Sequence, residues 1–118
     1  MTIDADGGND SIDLVSLDSQ FAGQLIVDAG DGTDVITEAT FGVGATLVGG
    51  AGDDVIFAGS GDDSIVGGDG DDSINGGLGN DVIDGGADDD TITGSTGVDS
   101  IDGGDGTDLI VESSSLDP

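Results

Sequence analysis

The chain has 118 residues, 27 of them Asp or Glu and none of them Lys, Arg or His, for a formal net charge of −27. No internal salt bridge between side chains can form, nothing is available to neutralise nucleic-acid phosphate or an anionic membrane, and no apolar run is long enough to span a bilayer. Cysteine is absent, which removes disulfides and thiolate metal sites.

The length suits one small domain. So much like charge repels itself in any compact state, and with few aromatics the chain is expected to stay disordered until something neutralises it. Three parts follow one another: irregular wider coils over 1–48, a regular block over 49–111 and a tail over 112–118.

In the first part, Ala5–Asp13 (ADGGNDSID) and Ala29–Thr37 (AGDGTDVIT) share a Gly-x-Asp-x-Ile register. Apolar pieces precede each turn: Ile3, then Leu25-Ile26-Val27, then Leu47-Val48. The spacings Asp10 to Asp34 and Asp34 to Asp54 are 24 and 20 residues, so each coil has a longer second side. Those sides, Ser16–Gly23 and Glu38–Ala45, hold few carboxylates but contain Phe21 and Phe41, predicting an edge packed by aromatics that Phe57 extends.

From Gly49 the chain becomes seven uninterrupted nonapeptides: GGAGDDVIF, AGSGDDSIV, GGDGDDSIN, GGLGNDVID, GGADDDTIT, GSTGVDSID and GGDGTDLIV. A fixed short period means that each unit builds its core by stacking on its neighbours. The Gly-rich first six residues predict a tight turn, and x-Ile-x a very short strand whose middle side chain faces inward. Ile56, Ile65, Ile74, Ile83, Ile92, Ile101 and Ile110 are then the interior, where β-branching suits a strand.

Two units make one turn, so residues eighteen apart stack. Asp54, Asp72, Asp90 and Asp108 fall on one edge, continued backwards by Asp34 and Asp10, while Asp63, Asp81 and Asp99 fall on the other. With turns about 4.8 Å apart, a cation between two of them can take a carboxylate from each and complete its shell with loop carbonyls, at about 2.3–2.6 Å for calcium. The candidate carbonyl loops contain Gly50, Gly52, Gly59, Gly61, Gly68, Gly70, Gly77, Gly79, Gly86, Gly104 and Gly106. All these donors are hard oxygens, which favours calcium over zinc, and carbonyl-rich loops suit magnesium less. The gaps between stacked Asp residues predict about five to seven ions. Seven divalent ions would offset about half of the acidic charge, a reason for folding to require them. A metal-free solenoid whose Asp residues only close Asx-turns is the weaker reading, because its carboxylate rows would repel at strand spacing.

Other motifs carry less. The segment Asp28–Glu38 resembles an EF-hand superficially, but Gly30, Gly32 and Thr33 stand where acidic ligands and the obligatory Gly belong. Asn9-Asp10-Ser11 fits a glycosylation acceptor but lies inside a predicted cation turn. With no His, Cys, Lys or Tyr, the usual nucleophile–base pairs cannot be assembled, and the evenly spaced carboxylates read as structural; the chain is not expected to be an enzyme.

The repeat resembles the RTX (repeats-in-toxin) nonapeptide calcium-binding family, strongly over Gly49–Val111 and loosely before it. The resemblance implies an all-β parallel β-roll, a β-solenoid with calcium between stacked Gly-Asp turns, and an extracellular or cell-surface location reached by type I export. Some rolls of this kind bind ice through a Thr and Asx row, but here the residues before each repeat Asp run Asn9, Thr33, Asp53, Asp62, Asp71, Asn80, Asp89, Val98, Thr107, with no Thr ladder. No effector domain or capping segment is apparent, and unblunted solenoid ends template another chain. The expected function is a calcium-binding structural roll that folds outside the cell as an assembly subunit of a filament, surface layer or matrix, with head-to-tail self-association. The alternative is an excised calcium-dependent folding and stability module of a larger secreted toxin, adhesin or enzyme. Neither reading involves nucleic acid or membrane insertion.

Overall fold

The computed structural model describes residues 1–14, 23–39 and 42–112, and these form strands and turns without a helix. Successive strands alternate between two parallel six-stranded sheets. The first holds β1 (Thr2–Asp4), β3 (Leu25–Asp31), β5 (Ala45–Ala51), β7 (Ser64–Asp69), β9 (Val82–Ala87) and β11 (Ser100–Asp105). The second holds β2 (Ser11–Leu14), β4 (Val35–Glu38), β6 (Val55–Phe57), β8 (Ser73–Asn75), β10 (Thr91–Thr93) and β12 (Leu109–Val111). Every strand pairs with the strand two places away in sequence, which is the connectivity of a parallel β-solenoid and the architecture the repeat predicts.

Register follows the repeat. Ile3, Val27, Leu47, Ile65, Ile83 and Ile101 form one column in the first sheet. Ile12, Ile36, Ile56, Ile74, Ile92 and Ile110 form the facing column in the second. Ile36, Ile56, Ile65, Ile74, Ile83 and Ile92 are buried, because each has a turn on either side. Ile110 is 43 % exposed, against 0 % for Ile92 one turn earlier, because it lies in the last described turn. Its side chain occupies the interior column, but among the described residues stacking covers it from one side only.

The strands of the two sheets differ in length within the block. In the first sheet the ladder runs past the Ile into the next unit, as in Gly50–Gly68 and Ala51–Asp69. In the second it stops after three residues and resumes only as isolated bridges, Ser60–Leu78 and Leu78–Thr96. Phe57 points outward and is 46 % exposed, while Phe21 and Phe41, the other members of the expected aromatic edge, lie outside the described residues, as does the tail beyond Glu112.

Candidate functional site

Counting each unit from its first Gly, positions two and four adopt a backbone that L side chains resist. Gly68 (φ 126°) and Gly70 (φ 118°) are typical, and a Cβ on either would collide with the carbonyl of Gly50 or Gly52 in the turn before. Asp6, Asp88 and Ser95 take the same left-handed positions without being Gly. Gly50, Gly52, Gly59, Gly61, Gly68, Gly70, Gly77, Gly79, Gly86, Gly104 and Gly106 all have positive φ, as do Gly8, Gly30, Gly32 and Gly97. These turns stack carbonyl over backbone at both edges and bring the Asp of position six into vertical columns.

On the first edge, the turns leading from first sheet to second, Asp10, Asp34, Asp54, Asp72, Asp90 and Asp108 form a continuous ladder. Each backbone N–H donates to Oδ1 of the next Asp in the column, over 2.7–3.0 Å. On the second edge Ala45 donates to Asp63 (2.7 Å), Asp63 to Asp81 (2.9 Å) and Asp81 to Asp99 (3.0 Å). One oxygen of each of these carboxylates, from Asp34 and Asp63 onward, therefore serves the backbone of the preceding turn.

Among the described residues the other oxygen has no donor. Oδ2 of Asp10, Asp34, Asp54, Asp72 and Asp90 on the first edge, and of Asp63 and Asp81 on the second, is buried and unpartnered. Each of these residues is followed by another Asp in its column, so there is one orphaned oxygen per Asp–Asp gap. Asp99 and Asp108, the last members, are not among them. An unpaired buried carboxylate oxygen is costly, and the chain has no cationic side chain to offer it. The N-terminal amine is engaged elsewhere, on the carbonyl of Gln24 (2.6 Å).

The first residue of the unit shapes the surroundings of that oxygen. A Cβ on Gly76 would meet Oδ2 of Asp81 at 2.5 Å and the carbonyl of Gly94 at 3.1 Å. Gly49, Gly67 and Gly85 are likewise hemmed in by Oδ2 of Asp54, Asp72 and Asp90 and by the carbonyls of Gly67, Gly85 and Gly103. The sheet ladder skips this pair, passing from Val48–Val66 to Gly50–Gly68. A carboxylate oxygen and a carbonyl oxygen from the next turn thus crowd the bare Cα. Ala5, Ala29 and Ala58 hold the position in the units of Asp10, Asp34 and Asp63. Among the described residues no three acidic side chains converge on one point, so a cation here would need carbonyl oxygens beside its carboxylates.

Burial governs the protonation of these groups. It pushes the Asp72 carboxyl up to about 7, with the charges of Asp54 and Asp90 adding to the rise and the Asp54 amide opposing it. Asp63 rises to about 6 for the same leading reason, opposed by the Ala45 amide and reinforced by Asp81. Asp54, Asp81 and Asp90 also rise, burial again being the largest cause.

A second ladder, in position five, was not anticipated from the sequence. It runs the opposite way: Thr33 N–H donates to Asn9 Oδ1 (3.0 Å), Asp71 to Asp53 (3.0 Å), Asp89 to Asp71 (2.9 Å) and Thr107 to Asp89 (2.8 Å). On the second edge Asn80 donates to Asp62 (2.8 Å) and Val98 to Asn80 (2.9 Å). Position six thus reaches back one turn while position five reaches forward. The recurrence of Asp and Asn at position five was the signal available for it.

No curated protein and no solved structure matches the chain. Residues 45–74 and 84–111 match the RTX calcium-binding nonapeptide repeat in four copies, and with the Asp ladders and left-handed Gly turns now placed, the chain belongs to that repeat family.

Proposed function

We propose that the chain folds by binding calcium between its turns, outside the cell, and serves there as a structural unit that stacks on a further unit. The observation that carries this is the orphaned Oδ2 in every Asp–Asp gap of both columns. Asp10, Asp34, Asp54, Asp72, Asp90 and Asp108 would hold ions on the first edge, and Asp63, Asp81 and Asp99 on the second. The stacked loop carbonyls would complete each shell. That arrangement gives seven ions, five on one edge and two on the other. When bound, calcium supplies the positive charge that this chain lacks, so binding free energy becomes folding free energy. Extracellular calcium matches a requirement for many weak, coupled sites.

Stacking on a further unit rests on the last described turn. Leu109, Ile110 and Val111 are 59, 43 and 44 % exposed, and among the described residues β12 is paired on one side only. An apolar strand with a free ladder edge favours parallel addition of another strand. A second copy joined head to tail would satisfy it and extend as a filament or lattice. The same edge equally fits a continuing turn of a larger exported protein, in which this chain would be a calcium-dependent folding module.

Far-UV circular dichroism during calcium titration, with magnesium as control, tests the first part. A cooperative change from coil to β with calcium alone is expected, and a full β spectrum in chelator at neutral pH would overturn the reading. Sedimentation of the calcium-loaded chain over a range of concentrations separates the two partners. Mass that grows with concentration is expected for self-stacking, and a constant monomer mass favours the larger-protein module.

A further inference from the structure

The second edge begins differently from the first. Its column reads Leu25, Ala45, Asp63, Asp81 and Asp99, so the turn before Asp63 contributes an amide from Ala45 but no carboxylate. An acidic side chain nevertheless arrives from another direction. Leu14 pairs with Glu38, and Thr37 with Phe57, which places Glu38 in the column that continues as Ala58, Gly76 and Gly94. Later turns keep that position small because an Asp oxygen crowds it; here it carries a carboxylate of its own.

Glu38 is 3 % exposed, and its Oε2 is buried without a donor among the described residues. A Cβ on Gly59 would meet that Oε2 at 2.5 Å, so the carboxylate lies against the turn that leads to Asp63. The negative charge of Asp63 bears directly on this carboxylate. Asp63 is 2 % exposed and, with Oδ1 taken by Ala45, presents its own orphaned Oδ2. Two buried carboxylates, each with one unpartnered oxygen, therefore face one region of the turn, and no cationic side chain exists to separate them.

We infer that Glu38 and Asp63 hold one further divalent cation, a calcium-class ion bound by hard oxygen donors, at the head of the second column. The site differs from those of the repeat in ligand and in place. Its first carboxylate comes from the end of β4, at a position where the repeat has Gly, and Glu38 precedes the residues that match the family repeat. The longer Glu side chain makes up for an Asp missing at Ala45. Such an ion would tie the irregular second coil to the regular block across the connection 39–44, giving the second edge a third ion. The inference rests on the reading that the Asp columns bind calcium, and its test separates the two.

Native mass spectrometry of the full chain in calcium, alongside Glu38→Gln and Asp63→Asn, counts the ions. Glu38→Gln should carry one ion fewer than the parent, and Asp63→Asn two fewer, since Asp63 borders two gaps. A Glu38→Gln chain with the parent's ion count overturns this site and leaves the columns standing. A parent that binds no calcium overturns the column reading and this site with it. Should Glu38→Gln not fold, crystals of the parent grown with terbium decide. Anomalous density between Glu38 and Asp63 is expected, and its absence beside density between Asp72 and Asp90 overturns the site.

Discussion

The two edges of the roll use the same six-residue turn, yet one carries a carboxylate column through all six turns and the other through three. On the first edge the ladder is unbroken from Asp10 to Asp108, although the spacing changes from 24 to 20 to 18 residues along the way. On the second edge Leu25 and Ala45 fill the column before Asp63 begins it. The contrast separates two jobs of one side chain. Oδ1 needs only an amide in the preceding turn, so Ala45 serves Asp63 as well as an Asp would. Oδ2 needs a counter-charge, and that demand arises only where carboxylates follow one another.

The largest test of the comparison is to cut each column in its middle. Asp72→Asn borders two gaps in a column of six, and Asp81→Asn two gaps in a column of three. Each should lose two ions and the cooperativity of calcium-induced folding, read by calorimetric titration. Asp108→Asn, at a column end, should lose one. Asp69→Ala, an exposed position-three residue, should leave the count unchanged. Equal losses at Asp69 and Asp72 would mean that position six is not the principal ligand.

The interior offers a second contrast. Ile74→Ala truncates a side chain that is 2 % exposed between two turns and should cost about 2–5 kcal/mol in urea melts at saturating calcium. Ile110→Ala, at a half-open end, should cost less than half as much. If the two costs match at low protein concentration, Ile110 is covered in solution by something beyond the described residues.

How much of this was legible in the sequence depends on period. From Gly49 onward nine residues recur without insertion, so the Ile columns and both Asp columns follow from counting. Asp10 and Asp34 were also legible despite their irregular spacing, because the Gly-x-Asp-x-Ile register survives locally and β2 pairs with β4 in that register. The outer ladder was less so. Its existence depends on which way a backbone amide points across the gap, which residue type alone does not fix. Glu38 escaped because attention to position six hides position one. Counting from Ile36 at position eight places Glu38 at the first position of a unit, where the block has Gly or Ala, and that discord was the available clue.

Both edges hold carboxyls raised by burial. Asp63 and Glu38 on the second edge rise to about 6 and about 7, and Asp72 on the first to about 7, from ordinary values of 3.8 for Asp and 4.5 for Glu. A carboxyl whose pKa is higher folded than unfolded stabilises the fold when protonated. That contribution is complete below about pH 4 and disappears as pH rises through 6 to 7. In chelator the chain should therefore gain β signal on acidification from pH 8 to pH 4. Calcium affinity should fall over the same window, since the ligands must be ionised. A chelated chain that loses structure on acidification would contradict the burial of these groups.

On the outer ladder the two edges differ in charge. On the first edge Asp71 accepts the Asp89 amide, while on the second Asn80 does the same for Val98 without a charge. Asp71→Asn would make the first edge resemble the second: the acceptor stays and one negative charge leaves the neighbourhood of Asp72. Asp71→Ala removes charge and acceptor together. The difference between the two variants isolates the hydrogen bond from the charge. It should be about 0.5–1.5 kcal/mol in favour of Asn, towards the lower figure because water reaches this exposed amide. Thermal melts at fixed calcium resolve such a difference. Equal stabilities would mean that position five contributes nothing by reaching forward, and that of the two side-chain ladders only position six adds to the backbone pairing between turns.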